Sequence, residues 1–315
     1  MPIPRSDYLS TVWKDGIFEN RVVFVTGGAG TICSAQTRAM VYLGANACII
    51  GRNVEKTESA AADIATARKG AKVLGIGGCD VRDIESMNKA AERCVKELGA
   101  IDFVIAGAAG NFVAPIMGLS SNGFKSVMEI DVLGTFNTVK ATLPYLMESA
   151  QRNPNPSTNG LTGGRIIFVS ATFHYAGMPM QAHVVSAKAA VDALSSSVAL
   201  EFGPRGITSN VIAPGGIEGT EGLARLASSK ASKDMARRIP LGRLGTIRDI
   251  ADATVYLFSD AGNYVNGDVL VVDGADWRNK GMGVGRDPDM QYPDFLLKGE
   301  FSKFVKSGRK ETPKL

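Results

Sequence analysis

The residues with chemistry to offer gather in two places. The first is Thr26-Gly27-Gly28-Ala29-Gly30-Thr31-Ile32-Cys33, a glycine-rich turn that follows an apolar run of strand length and opens a helix-period segment. In that context backbone N–H groups at the helix start receive a pyrophosphate, and the glycines let the main chain come close to it. Thr26, Gly27, Gly28, Gly30, Thr31 and Ile32 therefore read as a dinucleotide site. The second is the segment from Ser170 to Lys188, which holds His174 and His183, the only two histidines in 315 residues. Both falling beside one lysine points to a site with proton-transfer groups, and His183 is the better candidate.

The end of the second strand-like run discriminates between nucleotides. Ile50-Gly51-Arg52-Asn53 carries a guanidinium where a carboxylate would hold the ribose hydroxyls of NAD. Arg52 suits a 2′-phosphate, so the expected cofactor is NADPH/NADP. Asp80-Val81 after the third run is expected at the adenine edge. Ala106-Gly107-Ala108 after the fourth keeps side chains small beside the ribose, and Pro214, Gly215 and Ile217 after the sixth should lie along the nicotinamide.

The elements that must position these residues are legible as alternating patterns. Apolar runs of strand length occur at Val22–Thr26, Ala47–Gly51, Lys72–Cys79, Ile101–Gly107, Arg165–Ser170, Ile207–Ala213 and Val269–Asp273. Helix-period segments long enough for crossovers separate them. This predicts an α/β fold, a single doubly wound seven-stranded parallel sheet (Rossmann) with helices on both faces. Helix stops are expected at Gly44, Gly70, Gly99 and Gly203. Residues 1–285 form the predicted domain, with a helical substrate lid at about 217–243. Residues 286–315 lose the periodicity and read as a tail.

Composition narrows the partners. The formal charge of +4 arises without a Lys/Arg block, which argues against nucleic acid. No apolar run is long enough for a membrane span. The four cysteines, Cys33, Cys48, Cys79 and Cys94, have no metal-ligand spacing and read as reduced, buried thiols; no metal is expected. Pro313-Lys314-Leu315 is similar to the Ser-Lys-Leu tripeptide read by the peroxisomal import receptor, which predicts that receptor as a partner and the peroxisomal matrix as the location.

Taken together, residues 18 to 277 resemble the short-chain dehydrogenase/reductase superfamily. Lys188 fits the family's lysine, which binds the nicotinamide ribose and supplies positive charge. The other signature positions depart: Val184 stands where the tyrosine acid is usual, Ala171 at the serine, Asp131 at the asparagine, and Thr31 and Cys33 at customary glycines. These departures match one branch. Ala108-Ala109-Gly110-Asn111-Phe112, Ser170-Ala171-Thr172-Phe173-His174, His183, and Gly219-Thr220-Glu221-Gly222-Leu223 are similar to the peroxisomal 2,4-dienoyl-CoA reductases. The fungal members share the Thr31/Cys33 departure.

That resemblance implies a reaction that dispenses with tyrosine. Reduction of a carbonyl leaves a strongly basic alkoxide that needs an acid beside it. In a 2,4-dienoyl thioester, hydride at C5 instead sends charge onto the thioester oxygen as a dienolate, and the proton is needed at C2. The resemblance implies that Asp131, through a bound water, takes part in that protonation with Lys188. Asn111, Phe112, Thr172, Phe173, Thr220 and Arg225 are implied at the substrate. The lid carries Arg225, Lys230, Lys233, Arg237, Arg238 and Arg243 against Glu221 and Asp234, an excess of positive charge suited to the phosphates of coenzyme A. A homo-oligomer pairing through helices that include 120–149 and 183–203 is implied as well. The rival readings are another acyl-CoA reductase of the superfamily, which would keep the tyrosine, and a non-catalytic NADP(H)-binding sensor or scaffold.

Overall fold

The computed structural model describes residues 3–153, 163–221, 223 and 235–279. The apolar runs become seven strands: β1 (Val22–Thr26), β2 (Asn46–Ile50), β3 (Val73–Ile76), β4 (Phe103–Ala106), β5 (Gly164–Val169), β6 (Ile207–Pro214) and β7 (Val269–Val272). They form one parallel sheet in the order β3-β2-β1-β4-β5-β6-β7. The order reverses between β1 and β4, and the crevice at their carboxyl ends is where ligands bind such sheets.

Helices α1 (Thr31–Tyr42), α2 (Val54–Ala65), α3 (Ile84–Leu98), α4 (Ser121–Met128), α5 (Gly134–Arg152), α6 (Phe173–Ala176), α7 (Ala182–Phe202), α8 (Ile247–Phe258) and α9 (Asp276–Asn279) complete the described elements. Because successive strand side chains point to opposite faces, β1 feeds two cores. Val23 and Val25 pack with Ala39 of α1 and Val255 of α8, whereas Val22 and Phe24 pack with Met87 of α3 and Leu146 of α5. No helix among the described residues is long and apolar enough to cross a membrane.

Most strand ends shift by a residue or two from the predicted runs, and α2 ends at Ala65, before the stop expected at Gly70; two further boundaries differ for reasons visible in the backbone. Strand β3 ends at Ile76 rather than Cys79 because Gly77 and Gly78 turn the chain over the start of α2. A Cβ on Gly77 would sit 2.3 Å from the Val54 Cα, and Gly78 has φ +70°, which a side chain disfavours. Gly203 is not the left-handed stop of α7. Its φ is −51°, a short 3₁₀ turn comes next, and Gly206 at φ +80° makes the reversal.

Between α4 and α5 the helix widens into a π turn over Glu129–Leu133. Such turns insert an extra residue and are common at functional sites. Gly134 closes it with its N–H on the Glu129 carbonyl, and a Cβ there would meet the Val81 Cγ2 at 2.5 Å. The turn therefore sits hard against the segment expected at the adenine. Of the expected lid, residues 222 and 224–234 lie outside the described residues, and with them Arg225, Lys230, Lys233 and Asp234. The tail at 286–315 and its terminal tripeptide also lie outside.

Helix α8 begins with a capping box in which Thr246 and Asp249 satisfy each other's backbone N–H groups. Arg243 donates to both Asp249 oxygens at 2.8 and 2.9 Å. Those bonds, from Arg243 above all, pull the Asp249 carboxyl down to about 2. A depressed carboxyl stabilises the fold above its unfolded value of about 3.9 and loses that contribution as pH falls toward its folded value. Asp249→Ala should therefore cost about 1–2 kcal/mol at neutral pH in urea unfolding. The gap from the parent should narrow as pH falls from about 4 toward about 2; a gap independent of pH would mean that the charge on Asp249 is not involved.

Candidate active site

A cleft of about 1280 Å³ opens over the carboxyl ends of β1, β4, β5 and β6. One-ligand pockets commonly measure about 300–1,000 Å³, so this one has room for more than a single small molecule. A second cavity of about 440 Å³ lies at the opposite end of the sheet, between Trp13, Phe103 and Arg165, away from every residue to which the sequence assigns a chemical role.

One wall is the glycine-rich turn. Gly27 has φ +66°, and a Cβ on Gly28 would sit 2.5 Å from the Ile49 Cβ. Gly30 precedes α1 without a side-chain cap, so the first N–H groups of that helix have no capping side chain and face the cleft beside Gly27, Gly30, Thr31 and Ile32. Thr26 serves the turn from behind. Its buried hydroxyl accepts the N–H groups of Gly107 and Ala108 at 3.0 and 3.2 Å, locking β1 to β4. Ala106 is buried in the sheet.

Cys33, at a customary glycine, faces Gly107, whose missing Cβ would lie 2.3 Å from the sulfur. The sulfur occupies the space that a side chain on Gly107 would need. Burial pushes the Cys33 thiol up to about 12, so it behaves as a small apolar side chain rather than a nucleophile. All four cysteines are buried and free, and among the described residues no cluster of three or more His, Cys, Asp or Glu side chains is gathered for a metal.

At the adenine end, Arg52 extends exposed just past β2. Asp80 is gripped by Arg82 through both carboxylate oxygens, and those bonds hold its carboxyl below the usual range. Val81 is buried, its carbonyl taken by Asn137 at 2.9 Å. Lys56, in the first turn of α2, lies 3.1 Å from Glu221, which lines the cleft.

The centre of the cleft is built around Asp131. The π turn directs this carboxylate inward, where it is fully shielded from solvent. Its Oδ1 accepts the Gly110 N–H at 2.6 Å, and its Oδ2 lies 3.2 Å from Lys188 Nζ. The ammonium also donates to the Val169 carbonyl at 3.1 Å. Helix α7 delivers Lys188 one turn beyond Val184, which packs with Val127, Ala187 and Phe173. That side of the site is an apolar slot. Ser170, which the sequence marks only as a neighbour of Ala171, lines the cleft with a buried hydroxyl that has no hydrogen-bond partner among the described residues.

Asn111, Thr172, Phe173, Thr220, Pro214, Gly215 and Ile217 also line the cleft. The Thr220 hydroxyl is occupied, donating to the Ile217 carbonyl and accepting the Leu223 N–H. His183 and Phe112 do not line it. The buried His183 ring lies 4.3 Å from the Phe112 ring, with Nε2 at 3.0 Å from the Phe112 carbonyl, so it braces the loop that carries Asn111. Of the basic lid residues that are described, Arg238 lines the cleft, whereas Arg243 is committed to Asp249. Arg225 lies outside the described residues. Sequence periodicity missed Tyr175, Asp276 and Trp277 as lining residues, because two four-residue helices give no periodic signal.

The chain matches known proteins over most of its length. The family described as enoyl-(acyl carrier protein) reductase matches residues 27–274. The chain is 51% identical over 292 residues to the (3E)-enoyl-CoA-producing peroxisomal 2,4-dienoyl-CoA reductase of Saccharomyces cerevisiae, covering 92% of this chain and 94% of that one. It is 34% identical over 266 residues to a probable (2E)-enoyl-CoA-producing 2,4-dienoyl-CoA reductase of Bacillus subtilis, covering 83% and 98%. Among solved structures, a short chain dehydrogenase from Bacillus anthracis superposes with a TM-score of 0.73 at 34% identity, covering 82% of this chain and 97% of that one.

The Cys33–Gly107 contact gives a test of the wall. Gly107→Ala should destabilise the protein by about 1–3 kcal/mol through overpacking. Adding Cys33→Ala should recover at least half of that loss in a double-mutant cycle by denaturant unfolding. Simple additivity would show that the two positions do not press on each other.

Proposed function

The chain belongs to the short-chain dehydrogenase/reductase family, and from that premise we propose that it reduces 2,4-dienoyl-CoA to 3-enoyl-CoA with NADPH in the peroxisome. The observation that carries this reading is the buried Asp131–Lys188 contact of 3.2 Å beside Val184: a polar pair able to position a proton-relaying water is present, but not where a carbonyl reductase keeps its acid.

The residues at the cofactor wall fit a dinucleotide. The uncapped start of α1 suits a pyrophosphate, and Gly27 and Gly28 let the turn pack against Gly107, Ala108 and Ile49, where a side chain would collide. Arg52 suits the 2′-phosphate, and Lys188 the nicotinamide ribose. NADPH, when bound, supplies the hydride.

The chain's own groups handle the charge and the proton. Hydride at C5 of a dienoyl thioester moves negative charge onto the thioester oxygen. Ser170 offers a free hydroxyl in the cleft, and Asn111 lines it nearby; both are donors suited to that oxygen. Lys188 places a fixed positive charge within a site shielded from water, where it acts more strongly than in solvent. Asp131 has one oxygen pinned by Gly110 and the other paired with Lys188, so the pair would hold a water that gives its proton to C2 and is re-protonated by the Lys188 ammonium. Val184 excludes a competing donor. His183 acts by bracing Phe112, and Arg238 with Arg225 supplies positive charge for coenzyme A.

Phe136 on α5 and Leu200 on α7 are apolar and exposed, at 45% and 79%, which supports subunits pairing through those helices. Pro313-Lys314-Leu315 supports recognition by the peroxisomal import receptor.

Mixed with NADPH and a 2,4-dienoyl-CoA, the protein should oxidise the cofactor, as read from the loss of its absorbance. Tight NADPH binding without oxidation would favour a sensor. Asp131→Ala should lower kcat by about 10²–10⁴-fold while leaving NADPH affinity largely intact; a near-normal rate would place the proton path elsewhere. Arg52→Ala should weaken NADPH about tenfold or more and NADH little, and equal losses would remove its role at the 2′-phosphate.

A further inference from the structure

Tyr175 is the one tyrosine among the described residues that line the cleft, which makes it the natural stand-in for the acid absent at Val184. Its surroundings remove it from that role. The hydroxyl donates to Asp192 Oδ2 at 3.3 Å, and the same oxygen lies 2.7 Å from His174 Nε2. Burial, and then the negative charge of Asp192, push the phenol well above its ordinary pKa. A phenol held this way gives up its proton less readily than a free one.

What Tyr175 offers the cleft is its ring. The ring centroid lies 5.1 Å from that of Trp277, tilted by 55°, and both residues line the cleft. Val184, Lys188 and Asp192 are spaced four apart on α7 and therefore lie along one face of that helix. That face carries the apolar slot, the ammonium and the anchor for Tyr175. Helix α7 thus fixes the distance between the charged centre and the aromatic surface.

We propose that Tyr175 and Trp277 are substrate-positioning residues, an aromatic wall against which the flat conjugated dienoyl group lies, with the His174–Asp192 pair setting the angle of the tyrosine ring. The proposal rests on the dienoyl-CoA reading and adds the group that recognises conjugation. A planar, conjugated chain stacks on aromatic faces better than one whose conjugation is lost. The wall therefore favours substrate over the 3-enoyl product.

Steady-state kinetics with 2,4-hexadienoyl-CoA and NADPH test this, alongside inhibition by 3-hexenoyl-CoA and a fluorescence titration of NADPH. Tyr175→Phe keeps the ring and should hold kcat within about twofold of the parent. Tyr175→Ala and Trp277→Ala should raise KM about two- to tenfold, with kcat and the NADPH Kd little changed. The ratio of product Ki to substrate KM should fall toward one in the alanine variants, and Trp277→Phe should restore much of it. A loss of about a hundredfold in kcat for Tyr175→Phe would make the hydroxyl an acid and overturn the proposal. So would an unchanged KM in Tyr175→Ala, or a rise in KM matched by the NADPH Kd. If the unsubstituted protein does not turn over the dienoyl thioester, the dienoyl-CoA reading fails too; normal turnover by that protein with an unchanged Tyr175→Ala sinks the wall alone.

Discussion

The site depends on one carboxylate kept wholly out of water. Moving a charge from solvent into a protein interior costs several kcal/mol unless partners replace the lost hydration. Asp131 receives those partners from two separate elements, the Gly110 N–H after β4 and the Lys188 ammonium from α7, and the Val169 carbonyl at the end of β5 in turn holds that ammonium. The π turn at Glu129–Leu133 is what points the side chain inward to meet them. An unpartnered charge in the same place would be strongly destabilising, so the sheet ends, the widened helix and α7 must agree in position for the fold to tolerate it. That requirement also preorganises the centre of the cleft, since a group held by the fold needs no rearrangement when substrate arrives.

From this constraint comes the division of the cleft. The glycine-rich wall and Arg52 lie on the side proposed for the nucleotide, and the start of α1 leaves its backbone donors without a capping side chain. The opposite wall is apolar and aromatic, with Val184, Phe173, Tyr175 and Trp277. Charge is concentrated between them. A reaction whose hydride and proton arrive at carbons far apart along a conjugated chain suits such a layout, because the Asp131–Lys188 pair sits away from the position of the usual acid.

The sheet was legible in the sequence because parallel strands buried on both faces read as continuous apolar runs. What escaped were features with no periodic trace. The π turn breaks the helical period by one residue, so nothing in the pattern showed how Asp131 would face. Gly203 had the composition of a helix stop, yet the left-handed conformation fell to Gly206. Cys33 read as a buried thiol, but only the fold shows that it fills the space over Gly107. His183 stands beside the lysine in sequence, while the helical turn carries its ring under Phe112 instead. Tyr175 and Trp277 lie about 100 residues apart and meet only because β7 returns beside β6.

The yeast and Bacillus subtilis relatives are named for different products, one (3E)-enoyl-CoA and the other (2E)-enoyl-CoA. The difference lies in where the dienolate takes its proton: at C2 the remaining double bond is at C3, at C4 it is at C2. The role proposed for Asp131 predicts delivery at C2. The most direct measurement is turnover of a 2,4-dienoyl-CoA with NADPH in D₂O, with the product examined by NMR. A 3-enoyl-CoA bearing deuterium at C2 is the predicted result, and a 2-enoyl-CoA with deuterium at C4 would contradict it.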